Sequence, residues 1–393
     1  MLKKISLILL GILLLQGILK SQTNNQTVSK NYSIEEKNGI KEITSKNKAS
    51  QENLEIDLEE VFSISPLDSD NDENGVISPS TYEVDSKENI FFYDRSGTTI
   101  VKFDSKGQFI KRFGKKGNGP GEYVTSSHHM IVNDNIIVCD QVSRKLVFFD
   151  NNGEFIENVS PTPNFPITLA SVGDDQYLGL NTYQDQRDGK AYFGFSLTLV
   201  DKDYKAIKKL WISETEITAD LGEKVGEMVK QIPMQSITGS KIFLAGKSKT
   251  EYQIEVYDFN GKLIEVIKKK YRRVARTKQE IKDAGSGGEV QMVSLDESGD
   301  VASVSNEEIK NKYKYKDSIL GLNIDKEGRI WVNTSKDSKK FDNESFSYYD
   351  IFSKNGIFLK TIKLDKEIVE IKLVGDKMYA FYGEDSILKV YNY

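Results

Sequence analysis

Apolar and polar positions along the chain repeat as a β-hairpin that returns six times. In each copy an apolar strand ends on a landmark position, mostly Phe or Tyr and usually followed by Asp. A short polar turn, mostly with Gly, precedes a second apolar strand. The landmark positions are Phe103, Phe149, Val200, Tyr257, Ile351 and Tyr391, and the last copy stops at Tyr393. A unit of this size that recurs along one chain predicts a repeat architecture.

Each repeat contains four predicted strands. A short inner strand such as Met130–Val132 and a strongly apolar second strand such as Asn135–Asp140 precede the hairpin. The second and third strands are apolar on both faces, as expected for a sheet packed between two neighbours. The fourth strand alternates, which favours a more exposed position. Four-stranded antiparallel units arranged around a ring form a β-propeller, so the sequence predicts an all-β, six-bladed β-propeller over residues 52–393.

The last repeat lacks its fourth strand. Residues 54–62 alternate in the manner of a spare strand, with Leu54, Ile56, Leu58 and Phe62 on apolar positions. We expect this N-terminal strand to complete the last blade, because pairing the two would close the ring and remove two open sheet edges.

Two segments depart from the repeat. Residues 275–316, between blades four and five, contain many charges and no copy of the apolar second strand. They predict an insertion that borders one mouth of the channel, with a short helix at Thr277–Ala284 opened by a capping box. Residues 22–51 are polar and show no strand or helix period, so they are predicted to be a flexible linker.

The first 21 residues have the pattern of an export signal. Lys3 and Lys4 precede an interrupted apolar run from Ile5 to Leu19 that is short for a membrane span. They predict a signal peptide, no membrane span after its cleavage, and a protein in the periplasm, at the cell surface or in the medium. An uncleaved anchor is the alternative.

Composition narrows the possible partners. The chain has 393 residues, 29% of them charged, and a formal net charge of −5. These values suit a globular protein, taken here as a monomer, and argue against nucleic-acid binding because no strongly basic face is implied. The single cysteine, Cys139, allows no internal disulfide and lies in an apolar strand, where a buried thiol is expected.

Three stretches carry a resemblance to a known group of proteins. The run Phe113–Tyr123, with Gly117, Gly119 and Gly121, resembles the linker between blades of NHL-type propellers. The stretches Tyr271–Ile281 and Leu320–Val332 resemble exported six-bladed β-propellers common in Bacteroidetes, an NHL-like or TolB-like type. The resemblance covers residues 54–393 and implies the fold and export. Because its motifs are structural, it implies no activity.

Polar residues between the predicted second and third strands are candidates for ligand binding. The loops that join these strands ring one mouth of a propeller, where Arg and Tyr can hold an anionic or sugar-like ligand. Ordinary solvated loop residues are the alternative reading. The candidates are Arg95, Arg144, Tyr183, Arg187 and Lys249, together with His128 just before an inner strand.

No catalytic residue, metal site or cofactor is predicted. His128 and His129 are the only histidines, and adjacent strand residues point to opposite faces, so they are poorly placed to share a metal. Some six-bladed propellers are calcium-dependent lactonases or esterases, but Asn323 is the only oxygen donor within the predicted inner-strand cores. Asp85, Asp134 and Asp325 are expected to form Asx-turns. Bound calcium therefore has no support in the sequence.

The sequence thus predicts an exported binding propeller that engages a protein, peptide or glycan of the cell envelope at one channel mouth. A metal-dependent hydrolase of the lactonase or esterase kind is one alternative. A structural scaffold in an envelope complex is the other.

Overall fold

The computed structural model describes residues 27–51, 54–65, 79–161, 165–173, 175–286 and 313–393. Within these ranges five sheets have four strands and one has seven, which confirms the all-β propeller. The predicted signal peptide and residues 287–312 of the predicted insertion lie outside the described residues.

The strands follow one another blade by blade, with an N-terminal group before the first blade. That group is β1 (Thr27–Val28), β2 (Tyr32–Lys37), β3 (Ile40–Ser45) and β4 (Glu59–Ile64). Blade one is β5 (Pro79–Val84), β6 (Ile90–Asp94), β7 (Thr99–Phe103) and β8 (Phe109–Phe113), followed by the short pair β9 (Lys115–Lys116) and β10 (Glu122–Tyr123). Blade two is β11 (Ser126–Val132), β12 (Asn135–Asp140), β13 (Lys145–Phe149) and β14 (Phe155–Val159).

The second half of the ring contains two helices within the described residues. Blade three is β15 (Phe165–Ser171), β16 (Gln176–Arg187), β17 (Lys190–Asp201) and β18 (Ala206–Glu216), followed by helix α1 (Leu221–Gln231). Blade four is β19 (Met234–Thr238), β20 (Lys241–Ala245), β21 (Gln253–Asp258) and β22 (Leu263–Lys269), followed by helix α2 (Lys278–Ser286). Blade five is β23 (Ile319–Ile324), β24 (Ile330–Thr334), β25 (Phe346–Phe352) and β26 (Phe358–Asp365). Blade six is β27 (Ile368–Val374), β28 (Lys377–Tyr382) and β29 (Ile387–Asn392), with β4.

The hydrophobic core lies between neighbouring blades. Every residue of β6 and β7 is buried. Phe91 and Tyr93 of blade one pack in one cluster with Ile136 and Val138 of blade two. Because both faces of each sheet meet another sheet, the middle strands need apolar side chains in both directions, which is the pattern of the sequence.

The repeated turn packs blades one, two, four and five against the blade that precedes each of them. The Asp104 carboxylate accepts the backbone N–H of Gln108 at 2.8 Å, and the other copies with Asp repeat this bond. The turn glycine then adopts positive φ, +75° at Gly153. A Cβ added to Gly153 would lie 2.6 Å from the Phe113 ring on the outer strand of the preceding blade. The glycine of the repeat therefore provides both a left-handed conformation and room for close packing between blades.

The predicted N-terminal closure is confirmed. Strand β4 pairs antiparallel with β29, with Phe62 opposite Val390 and Ile64 opposite Leu388. A Cβ on Gly107 of blade one would lie 2.8 Å from the Phe62 ring, so the closing strand occupies the place that an outer strand takes in the other blades.

The prediction of a flexible linker over residues 22–51 is wrong for residues 27–45. Strands β1 to β3 form an antiparallel set, and β3 pairs in parallel with β22, the outer strand of blade four. Ile43 is fully buried there. The chain then crosses blade five, where Gln51 donates its N–H to the Leu359 carbonyl, and reaches blade six. Residues 27–51 are named the strap. The outer strand of blade four offers unpaired backbone N–H and C=O groups, and these can hydrogen-bond to a strand whatever its side chains are, including a polar one.

The short helix predicted in the insertion is confirmed as α2. The Thr277 hydroxyl accepts the N–H of Glu280 at 3.2 Å, and the Glu280 carboxylate accepts the N–H of Thr277 at 2.8 Å. These reciprocal bonds are a capping box. Within the described residues, neither helix is long and apolar enough to cross a bilayer.

Candidate binding mouth

One end of the ring carries the turns between second and third strands, and we name it the upper mouth. In an antiparallel sheet these turns share an end with the connections from a fourth strand to the next inner strand. A direct contact shows this, since Ser318, just before β23, donates its N–H to the Ser248 carbonyl in the loop after β20 at 2.7 Å. Helices α1 and α2 lie in such connections, so the described part of the insertion borders the upper mouth.

Blade three projects beyond the other blades at this end. Its inner strand β15 begins at Phe165, which pairs with Thr182 of β16. Strands β16 and β17 stay paired with each other beyond that point, as far as Arg187 and Lys190. The projecting part, residues 183–194 with 214–216, is named the wing. Tyr183 and Arg187 therefore lie in strands, and their prediction as loop residues is wrong. The sequence Asp188–Gly189 could have predicted this hairpin, because Asp-Gly between alternating residues is typical of a hairpin turn. In the structure the two residues have φ of 52° and 75°.

One face of the wing holds a linked set of polar side chains. The Tyr183 hydroxyl donates to Glu214 Oε2 at 2.8 Å, and Arg187 Nη2 donates to Glu214 Oε1 at 2.5 Å. Lys190 Nζ lies 2.8 Å from Glu216 Oε2. The Arg187 guanidinium also lies over the Tyr192 ring, 4.3 Å from its centroid. The structure thus brings Tyr183 and Arg187 together through Glu214, a residue that sequence reasoning missed.

Packing and charge orient the Tyr183 ring. A Cβ on Gly194, the cross-strand partner of Tyr183, would lie 2.5 Å from that ring, so a glycine is needed at this position to leave room for the ring. Partial burial, followed by the bond to Glu214, raises the pKa of Tyr183 to about 12. The bonds from Arg187 and then Tyr183 lower the pKa of Glu214. At neutral pH the face therefore presents a neutral phenol beside an ionised carboxylate.

Arg144 lies at the base of the wing. It occupies the blade-two turn with φ of +50°, and its guanidinium is 5.3 Å from the Phe165 ring centroid. Phe165 pairs with Thr182, the residue before Tyr183. Three of the predicted candidates are thus on or beside blade three.

The other predicted candidates are distributed around the ring. Arg95 is exposed in the blade-one turn and Lys249 is exposed in the blade-four loop. His128 belongs to inner strand β11, so its predicted position just before an inner strand is wrong, and its side chain lies outside the described part of the chain. The neighbouring His129 is buried, with Nε2 3.0 Å from the Phe91 carbonyl and Nδ1 3.3 Å from Thr81 Oγ1, and these contacts give it a structural role.

A groove lies between blades three and four at the upper mouth. It has a volume of about 220 Å³, and its walls include Trp211, Pro233, Lys247, Glu251 and Gln253. Lys247 and Glu251 flank Lys249 in the blade-four loop, so that predicted candidate is close to the groove in sequence.

Inner strands hold more polar side chains than the sequence predicted. Glu83, Gln235 and Ser236 lie on β5 and β19, where only the apolar ends of the strands were recognised. Asp85 and Asp325 cap turns as predicted, since Asp85 accepts the N–H of Asn89 and Asp325 that of Arg329. Within the described ranges, no group of three or more His, Cys, Asp or Glu side chains is arranged to hold a metal ion.

Comparison with known proteins agrees with this architecture. The family model DUF5128, described as a 6-bladed beta-propeller, matches residues 30–353. None of the curated proteins matches the sequence.

Several solved structures are similar to this chain. A member of the DUF4221 family from Bacteroides vulgatus has 12% identity and a TM-score of 0.50, covering 86% of this chain and 97% of its own. A Bacteroides fragilis protein named as a candidate exported protein has 14% identity and a TM-score of 0.47, with coverages of 89% and 98%. BamB from Moraxella catarrhalis has 14% identity and a TM-score of 0.39, with coverages of 86% and 100%. At these identities the similarity to the DUF4221 member shows the fold alone.

Proposed function

Because the chain belongs to the DUF5128 family of six-bladed β-propellers, we propose that it is an interaction propeller whose upper mouth binds a protein or peptide partner. The signal-like first 21 residues support export, so the partner is sought at the cell envelope. A glycan and a purely scaffolding role are the competing outcomes of the experiment below.

The wing is the observation that carries this proposal. Strands β16 and β17 have 12 residues each, whereas the second and third strands of the other blades have 5 to 7. Ordering backbone costs roughly 1–2 kcal/mol per residue, and the projecting residues lie beyond the inner strand that joins blade three to the ring. A segment of this kind is better explained by recognition than by ring closure.

The chemistry of the wing favours a protein surface as partner. Tyr and Arg are enriched at the centres of protein interfaces, and the wing face presents Tyr183, Tyr192 and Arg187. Ile212, at its base, is 49% exposed. The cations Arg187 and Lys190 are already paired with carboxylates, so the face has no excess charge to attract a polyanion.

Site-specific photo-crosslinking in the native host tests the proposal. A benzophenone amino acid would replace Tyr192 on the wing and, as the matched control, exposed Asn152 at the opposite mouth. We expect a discrete protein adduct from position 192 and none from position 152. The double variant Tyr183→Ala with Arg187→Ala should abolish that adduct without lowering the amount of folded protein.

Other outcomes have defined meanings. Adducts from position 152 alone, or no protein adduct from either position, would contradict binding at the upper mouth. An adduct that survives both the wing variant and Arg95→Ala with Arg144→Ala would show that these residues do not form the site. An adduct that contains only glycan would replace the proposed partner class.

A further inference from the structure

The outer strands of the blades share an aliphatic residue at one position. Near the start of each outer strand, two neighbouring residues of the third strand pair with residues that are two apart, which leaves one extra residue between them. Such an extra residue is a β-bulge. The bulged residues, which we name the peripheral belt, are Val61, Ile110, Ile156, Ile207, Ile264 and Leu359. Because outer strands begin at the end of the ring opposite the upper mouth, the belt lies near that end.

The N-terminal part of the chain covers the belt in blades four and five. Strand β3 of the strap pairs with β22 directly after the bulge at Ile264, and Ile264 is half-buried. In blade five the Leu359 carbonyl accepts the N–H of Gln51. Leu359 is half-buried in the same apolar cluster as three residues between the strap and β4, namely Leu54, Ile56 and Leu58. The belt is therefore a surface on which an extended segment already lies.

In the other four blades the belt residue is exposed. The exposed fraction is 45% for Ile110 and 46% for each of Val61, Ile156 and Ile207. Single exposed aliphatic residues are common on protein surfaces and need no explanation. These four, however, occupy the same bulge position on blades six, one, two and three, which follow one another around the ring. They continue the row that the chain covers in blades four and five.

A comparison of blades two and five shows what the strap covers. Phe358, the first residue of β26, is 4% exposed, and its N–H donates to Ser45 Oγ of the strap at 3.0 Å. Phe155, the first residue of β14, occupies the same place in its blade and is 39% exposed. Blade two thus exposes two neighbouring apolar side chains, Phe155 and Ile156, where blade five has them covered.

The backbone edges of these blades can also accept a strand. Within the described residues, β8, β14 and β18 are the edges of their sheets, whereas β22 has β3 on its outer side. Addition of an extended segment to a sheet edge is a common way to bind a peptide, because main-chain hydrogen bonds supply affinity and side-chain contacts supply specificity. The bulge does not prevent such pairing, since β22 has the same bulge and pairs with β3.

We propose that the exposed part of the belt binds an extended segment of a partner protein, in the way that the strap binds blades four and five. The segment pairs its backbone with an outer strand of blades one to three, and its aliphatic side chains cover the belt residues. The chain's own strap is held by blade four and, through β4, by blade six, so the segment comes from another protein. This proposal does not depend on the wing, which lies at the other end of the ring.

Amide hydrogen exchange with a defined peptide tests the proposal. The probe is a synthetic peptide with the sequence of residues 40–58, added at about millimolar concentration to the full folded protein with its own strap in place. A control peptide has Ile43, Leu54 and Ile56 each replaced by Ser. We expect the probe to slow exchange of edge amides in β8, β14 or β18 about tenfold, because added main-chain bonds protect them. The control peptide should leave exchange there unchanged.

Variants of the protein locate the binding surface. The triple variant Ile110→Ser, Ile156→Ser and Ile207→Ser should weaken binding of the probe at least about tenfold, because it removes aliphatic surface that the probe would cover. Val142→Ser is the matched control and should leave binding unchanged. Val142 is an aliphatic residue of blade two with 65% exposure, but it lies in the loop between β12 and β13 at the upper mouth.

Four results would overturn the proposal. The first is unchanged exchange in β8, β14 and β18 with the probe present. The second is an effect confined to β22, which would mean that the probe only replaces the chain's own strap. The third is equal binding by the wild type and the triple variant. The fourth is a dimer of the protein alone that the triple variant dissociates, which would assign the belt to a second copy. None of these results bears on the wing, whose crosslinks are measured separately.

Discussion

A buried cluster of two lysines and one aspartate connects blades four and five. We expect it to make the free energy of unfolding vary with pH in the alkaline range. Asp350 is fully buried, and its carboxylate lies 2.6 Å from Lys269 Nζ and 2.8 Å from Lys336 Nζ. The Lys269 side chain is only 6% exposed. Burial, followed by repulsion from Lys336, outweighs the attraction of Asp350 and lowers the pKa of Lys269 from 10.5 to about 8. The two lysines lower the pKa of Asp350, although its own burial acts in the opposite direction.

The variant Lys269→Met isolates the effect of this ammonium group. Methionine keeps an unbranched apolar side chain, and Asp350 retains Lys336 as a partner. Between pH 8 and 10.5 the unfolded wild type still binds the Lys269 proton, whereas the native state has released it. The stability of the wild type therefore rises with pH in this window relative to the variant. The difference of 2.5 pH units, at about 1.36 kcal/mol each, amounts to about 3 kcal/mol.

Urea unfolding of both proteins from pH 7.5 to 10.5 measures this difference. Groups that titrate in both proteins cancel when the two unfolding free energies are subtracted. We expect the free energy of the variant minus that of the wild type to fall by about 3 kcal/mol across the window. Lys268→Met, which replaces the neighbouring lysine whose side chain is 35% exposed, is the matched control. A flat difference for Lys269→Met, or one that rises with pH, would refute the reasoning.

Three further predictions concern turns, the thiol and the insertion. Gly153→Ala should lower the free energy of unfolding by about 2–4 kcal/mol, because alanine is strained at the positive φ of this position and its Cβ would clash with the Phe113 ring. Gly39→Ala, with a similar φ but open space, should cost only about 1 kcal/mol in the same urea titration. Burial, and to a lesser degree the negative charge of Asp140, raises the pKa of the Cys139 thiol to about 12. Iodoacetamide at pH 8 should therefore label native protein only as fast as the protein unfolds, and rapid labelling would contradict this. Thr277→Ala removes a cap worth about 1 kcal/mol and should speed amide hydrogen exchange in α2 about fivefold, whereas Lys278→Ala should not. Equal exchange in both variants would argue against the capping box.

Structural features that depend on residues close together in the chain could be predicted from the sequence. The Asp and Gly of the repeated turn act within four or five residues, so the copies around Phe103 and Tyr257 indicated hairpins directly. The capping box of α2 likewise involves only Thr277 and Glu280. The closing strand could also be inferred, because a final blade without a fourth strand leaves an edge that only an alternating segment elsewhere could fill.

The candidate site was only partly predictable. Arg144 and Arg187 were identified because both were predicted to lie between strands, which holds for Arg144 alone. Glu214, which bonds Tyr183 and Arg187, lies 27 or more residues further along the chain. Gln235 and Glu83 were missed because the inner strands begin before their apolar residues. The length of an inner strand depends on its pairing with the second strand of the blade, and this pairing cannot be recognised from a short stretch of sequence.

The sequence by itself determined the number and kind of blades, since burial on both faces and positive-φ turns impose residue types that recur in most copies. Only the tertiary structure decided what the polar segments do. The strap follows blade four because β22 offers an unpaired backbone edge, and backbone groups pair without regard to side-chain type. The wing likewise depends on which strands extend past their neighbours, and that is set by contacts between residues far apart in the chain.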